Sequence, residues 1–128
     1  MGLTRKVFRE RVAQRPLLLD GAMGTVLHGK GAPLDTAFDA LNSRQPALVA
    51  DVHRGYIDAG ADIIETNTFG ANRYKLGEYG LQDQVVAFNE AAVSVARKVI
   101  DGSFKDVLLA GSIGPLGVRL APLGRVSK

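Results

Sequence analysis

Two apolar runs in this chain each close on a carboxylate and pass at once into glycine and small polar residues. The first is Leu17-Leu18-Leu19-Asp20-Gly21-Ala22-Met23-Gly24-Thr25, and the second is Ala61-Asp62-Ile63-Ile64-Glu65-Thr66-Asn67-Thr68-Phe69-Gly70. A third run, Val107-Leu108-Leu109-Ala110-Gly111-Ser112-Ile113-Gly114-Pro115, repeats the pattern without a charge. A short, nearly continuous apolar run reads as a parallel strand covered on its faces, and a polar turn after it reads as a strand end available for chemistry. Three such ends, with room for a helix between each pair, point to one active face.

The intervening segments fit that scheme. Residues 1–15 read as an N-terminal helix with Leu3, Val7, Phe8 and Val12 on one side. Residues 21–45 read as a long loop with a helical turn near Thr25–His28, since Gly29, Gly31 and Pro33 break any longer period. Pro46 opens a helix over 46–59 with Leu48, Val49, Val52, Tyr56 and Ile57 as its apolar stripe, and Gly60 is placed to end it. Residues 67–79 read as a loop and short helix. Residues 82–100 form the clearest helix, with Val85, Val86, Asn89, Ala92, Val93, Ala96, Val99 and Ile100 on one face and Gly102 after the end. The expected strands are 17–20, 62–65 and 106–111, side by side in that order, joined by right-handed crossovers with helices on one side.

Charge distribution narrows the function classes. The net charge of +3 splits into +4 over residues 1–15, −4 over 16–112 and +3 over 113–128. An acidic body with basic ends is the reverse of a nucleic-acid footprint. No 18-residue apolar stretch exists to span a membrane, and the basic start lacks the apolar core of a secretory signal. The chain has no cysteine, so it forms no disulfide and offers no thiolate to a metal. His28 and His53 are the only histidines and have no second ligand at metal spacing.

Asp20 can cap the turn after it or contact a ligand, and its place at the end of a leucine strand favours the ligand. Glu65 stands in the same position, followed by a dense polar run. The Gly21–Thr25 turn matches neither G-x-G-x-x-G nor the P-loop pattern, so its N–H groups suit a carboxylate as well as a phosphate. Ser112 reads as structural. Asn89, on an apolar helix face, reads as a satisfied buried amide.

Taken together, the motifs Asp20–Thr25, Glu65–Asn72 and Gly111–Pro115, with Ala59–Ile64 between them, closely resemble the homocysteine S-methyltransferase family from Pro16 onward. They are most similar to the homocysteine-binding module of its cobalamin-dependent members. The resemblance implies a (β/α)8 TIM barrel in the cytoplasm, with residues 16–128 forming about the first three βα units and residues 1–15 a preceding helix. It implies methyl transfer to the zinc-bound thiolate of homocysteine, giving methionine. Asp20 would contact the substrate ammonium, the backbone at Gly21 and Ala22 would receive its carboxylate, and Glu65, Thr66 and Asn67 would line the same pocket. The family's zinc ligands are cysteines on later strands, so the chain is expected to carry no metal site and to be inactive alone. Cobalamin and methyltetrahydrofolate would act through other domains, in preference to betaine or S-methylmethionine as donor. Two alternatives stand beside this: a non-catalytic amino-acid-binding or interaction fragment, and another (β/α)8 enzyme acting on a small amino acid.

Overall fold

A computed structural model describes residues 2–127; Met1 and Lys128, the outer ends of the two expected regions, lie outside it. Strand β1 (Ile63–Glu65) and strand β2 (Leu108–Ala110) pair in parallel, Ile63 opposite Leu108 and Glu65 opposite Ala110. The leading segment 17–20 adds to the other edge of β1 through one parallel bridge, Leu19 to Ile63. Leu18 O accepts Ile63 N–H at 3.1 Å, and Asp20 N–H donates to Ile63 O at 2.9 Å. The expected order is therefore present, although all three strands are shorter than expected and the first is reduced to a single bridge. Among the described residues its outer edge has no neighbour, and strand pairing extends only as far as a partner supplies donors and acceptors.

Among the described residues six α-helices accompany these strands: α1 (Arg5–Gln14), α2 (Gly24–Gly29), α3 (Leu41–Arg44), α4 (Pro46–Asp58), α5 (Arg73–Gly77) and α6 (Val85–Ser103). Pro46 opens α4, as its fixed φ and missing N–H allow. At the other end Gly60 takes φ +104°, its N–H reaching Ile57 O while Ala61 N–H reaches Tyr56 O. That pair of bonds is a Schellman closure, which needs the left-handed residue that glycine supplies. The chain is thereby turned straight into β1.

One face of the sheet is covered by α4 and α6. Ile64 is fully buried among Ile57 of α4 and Ala96, Val99 and Ile100 of α6. Burial of one such side chain is worth roughly 1.5–3 kcal/mol, so this contact fixes the sheet on the helix pair. Ile63 and Glu65 point the opposite way and are only half-buried. A second cluster joins Leu27 of α2, Leu41 of α3 and Val49 and Val52 of α4 with Val95 of α6.

Several details depart from the sequence expectation. The loop expected over 21–45 contains α3 and a 3₁₀ turn at Phe38–Ala40 besides α2. Helix α6 runs through Gly102 to Ser103 and closes on Phe104 at φ 56°, not at the glycine. Its buried face includes Phe88 and Val95, while Val86 and Val93 are exposed. Apolar residues cover more than half of that helix's circumference, so spacing identifies the helix but leaves the rotation of its stripe open. Helix α1 buries none of its residues, and its apolar side is exposed. It is held by charge instead, through Arg11 on Asp106 at 2.9 Å and Arg15 on Asp62 at 2.7 Å.

Candidate active site

The C-terminal ends of segment 17–20, β1 and β2 open on one cavity of about 640 Å³. Asp20, Gly21, Ala22, Glu65, Thr66 and Asn67, the six residues singled out from the sequence, all line it, and Ser112 joins them. Parallel pairing explains the convergence, because strands running in one direction bring their ends to one edge.

Asp20 and Glu65 form the acidic floor. Asp20 Oδ2 accepts the Glu65 backbone N–H at 3.0 Å, which orients the Asp20 carboxylate along the strand ends. Burial raises the Asp20 carboxyl above its ordinary range and the neighbouring Glu65 charge adds to this, while the Glu65 N–H pulls the other way. A half-buried carboxylate beside a second one is stabilised in its ionised form by any cation brought close to it. Behind Asp20, the turn is held by Tyr56, whose hydroxyl donates to Ala22 O at 2.6 Å. The Gly21 Cα lies against the same phenol, and a Cβ there would come 3.1 Å from Tyr56 Oη. Among the described residues, no carbonyl accepts the Gly21 or Ala22 N–H.

Thr66 and Asn67 line the cavity, yet the Thr66 hydroxyl and the Asn67 amide nitrogen are engaged within the protein. Thr68 Oγ1 donates to Ser112 O at 2.8 Å, so in the 2.7 Å contact between the two threonine hydroxyls Thr66 is the donor. Thr66 Oγ1 in turn accepts Ser112 N–H at 3.1 Å. This relay ties the end of β1 to the end of β2 and uses the only proton on each hydroxyl. The Asn67 amide nitrogen donates to Phe38 O at 2.8 Å and to Asn42 Oδ1 at 3.2 Å. Ser112 contributes through its backbone N–H and C=O. Asn89 likewise donates to Ala71 O and Val85 O, as expected of a satisfied amide.

The structure also brings in Asp39, which the sequence did not mark. It is buried, lines the cavity and accepts Gly70 N–H at 3.1 Å on Oδ1. Burial pushes its carboxyl up. It sits in the glycine- and proline-broken stretch after α2, where no periodicity exists to signal it. An acidic residue three before an asparagine was the only available cue.

The histidines stand apart from the cavity. His28 Nδ1 donates to Ala32 O at 2.8 Å. His53 is fully buried in α4 with neither ring nitrogen partnered, and burial lowers its pKa to about 4. No group of three metal-ligating side chains occurs among the described residues. No helix among them is long and apolar enough to cross a membrane.

The motifs that form this edge lie inside a longer match. Residues 17–128 match the family model described as homocysteine S-methyltransferase. This chain belongs to the homocysteine S-methyltransferase family. It is 38% identical over 125 residues to a methionine synthase of Mycobacterium leprae (strain TN), covering 90% of this chain and 10% of that protein. A methionine synthase of Mycobacterium tuberculosis (strain ATCC 25618 / H37Rv) is 38% identical over 122 residues, again across 10% of its length. The crystal structure of the homocysteine methyltransferase MmuM from Escherichia coli in its metallated form superposes with a TM-score of 0.74 at 31% identity, covering 86% of this chain and 42% of that one. The oxidized form superposes with a TM-score of 0.75. The chain thus spans about a tenth of these methionine synthases and two-fifths of MmuM, and its parallel α/β units correspond to part of the MmuM fold.

Proposed function

We propose that this chain supplies the amino-acid half of the substrate site in a zinc-dependent homocysteine S-methyltransferase built as a (β/α)8 barrel. The observation that carries the reading is the convergence of the family's strand-end motifs on one cavity, with Asp20 and Glu65 side by side on its floor. In this reading the Asp20 carboxylate binds the homocysteine ammonium through a charge-assisted hydrogen bond. The free N–H groups of Gly21 and Ala22 receive its carboxylate. Glu65 adds negative charge beside the ammonium, and Thr66 and Asn67 shape the wall.

The residues of this chain do not fit a zinc site. It has no cysteine, and the described residues hold no ligand cluster. His53 is buried away from the cavity. The zinc of the proposed enzyme, which would convert a thiol of pKa about 8.5 to thiolate at neutral pH, therefore falls to residues outside this chain. The methyl donor reaches the sulfur from outside it too; the likeness to methionine synthases favours methylcobalamin supplied from methyltetrahydrofolate.

The absence of cysteine also favours a second reading, in which the chain binds an amino acid and catalyses nothing. The experiment that separates the two begins with the DNA that follows the Lys128 codon. The complete reading frame, or the separately encoded partner that completes it, is expressed with zinc and assayed for methionine formation. Zinc-dependent turnover is expected. A stable product that binds homocysteine without ever forming methionine would support the second reading.

A further inference from the structure

The turn that follows Glu65 is clamped from two sides, and one of the clamps meets it at a glycine. On the β2 side, the Thr66–Thr68–Ser112 relay holds its start. On the opposite side stands the 38–42 segment. Asn67 donates to Phe38 O and Asn42 Oδ1, and Asn42 Nδ2 donates back to Asn67 O at 2.8 Å. Asp39 closes the set by accepting Gly70 N–H at 3.1 Å. Gly70 has no side chain to obstruct this approach; a Cβ built there would lie 2.8 Å from Asp39 Oδ2. Asn42, Asn67 and Asp39 are all buried, so none of these bonds competes freely with water.

We infer that Asp39 is a positioning residue of the substrate site: by accepting the Gly70 N–H across a bare Cα, it holds the turn after β1 so that Glu65 faces the cavity beside Asp20. This rests on the reading of the cavity as the homocysteine site. Asp39 lines the cavity wall and acts on the site through Gly70. What it needs is an acceptor oxygen at one place, not a negative charge. The glycine is the other half of the device, because only there can the carboxylate come so close to the backbone.

The pairing makes the proposal testable by a double-mutant cycle in the complete zinc-loaded enzyme containing this chain, with homocysteine KM, kcat and zinc content as readouts. Asp39→Ala is expected to raise the homocysteine KM about tenfold with kcat and zinc little changed. Asp39→Asn keeps an acceptor for Gly70 and is expected to stay within about threefold of wild type. Gly70→Ala should mimic Asp39→Ala by driving the two groups apart. The double variant should be no worse than Asp39→Ala, since the atom that the new methyl meets has been removed. Independent, multiplicative effects of the two substitutions would overturn the pairing. Equal losses in Asp39→Asn and Asp39→Ala would overturn it too, and would make the charge a direct ligand contact. Should Asp39→Ala fail to fold, Asp39→Asn and Gly70→Ala still decide the matter, the first expected near wild type and the second impaired. Asp20→Ala in the same enzyme keeps the two readings apart: unchanged homocysteine affinity there would overturn the site assignment, while the Asp39–Gly70 coupling would stand or fall on its own cycle.

Discussion

Asp20 Oδ2 accepts the backbone N–H of Glu65 at 3.0 Å, so the end of one strand is oriented by the end of the next and the two carboxylates share one cavity floor. In the proposed enzyme, removing the first carboxylate removes the charge-assisted partner of the substrate ammonium. Asp20→Ala should therefore weaken homocysteine binding by about 1.5–3 kcal/mol. Zinc content should be unchanged, as measured by metal analysis of the same preparation. Loss of metal at normal homocysteine affinity would reverse the assignment.

The same carboxylate sets a pH dependence. Burial and the Glu65 charge raise the Asp20 carboxyl, so it takes up a proton at a higher pH than an ordinary aspartate. Homocysteine affinity should fall as pH drops through that raised value, before free carboxylates titrate. Binding titrations from neutral pH downward check this, and an affinity flat across the whole carboxyl range would contradict it.

At the opposite end of the sheet, Arg15 grips Asp62 with two nitrogens, at 2.9 and 2.7 Å, and Leu18 N–H adds a third bond at 2.8 Å. The Arg15 hydrogen bond, followed by the Leu18 N–H, holds the Asp62 carboxyl well below the usual carboxylate range. A depressed carboxyl contributes stability above its unfolded pKa of about 3.9, and loses it as pH falls through the lower folded value. Arg15→Ala should lower the urea midpoint of the complete domain at neutral pH. The gap from wild type should close only under strongly acidic conditions. Equal midpoints at neutral pH would show that α1 is not anchored by this pair.

His53 predicts a second acid-sensitive step. Its pKa of about 4 in the fold lies below the unfolded value of about 6.5, so the unfolded chain binds the extra proton first. Stability from a neutral buried imidazole is fully present above pH 6.5 and declines as pH falls toward 4. The loss is on the order of 3 kcal/mol. His53→Leu should flatten the stability profile between those limits. A variant whose profile keeps the wild-type slope there would contradict this.

Much of the site was legible because strand ends announce themselves: apolar runs closed by Asp20 and Glu65 placed both carboxylates on one edge. What was not legible is tertiary. Thr66 and Asn67 line the cavity that their motif implies, but nothing in their spacing tells that Ser112, Phe38 and Asn42 take up their hydrogen bonds. Asp39 lies in a stretch without periodicity, and its partner Gly70 is 31 residues away. The spacing that predicts helix α6 puts Val86 and Val93 on its buried face, where Phe88 and Val95 lie instead. His53 follows Val49 by one helical turn, so its burial could have been read from spacing; its lack of partners could not.

In the proposed enzyme this chain holds the amino-acid half of the site and none of the metal half. Leu18, Leu19, Val7 and Phe8 are exposed, and among the described residues the outer edges of segment 17–20 and β2 have no strand beside them. Unpaired edges and wet apolar area leave little to offset a backbone entropy of about 1–2 kcal/mol per residue. The most direct measurement is to purify the 128-residue chain alone and record its bound zinc together with methyl transfer to homocysteine. The expected result is a marginally folded or aggregating chain with no stoichiometric zinc and no methionine from any donor. A cooperatively folding monomer with zinc-dependent turnover would contradict it.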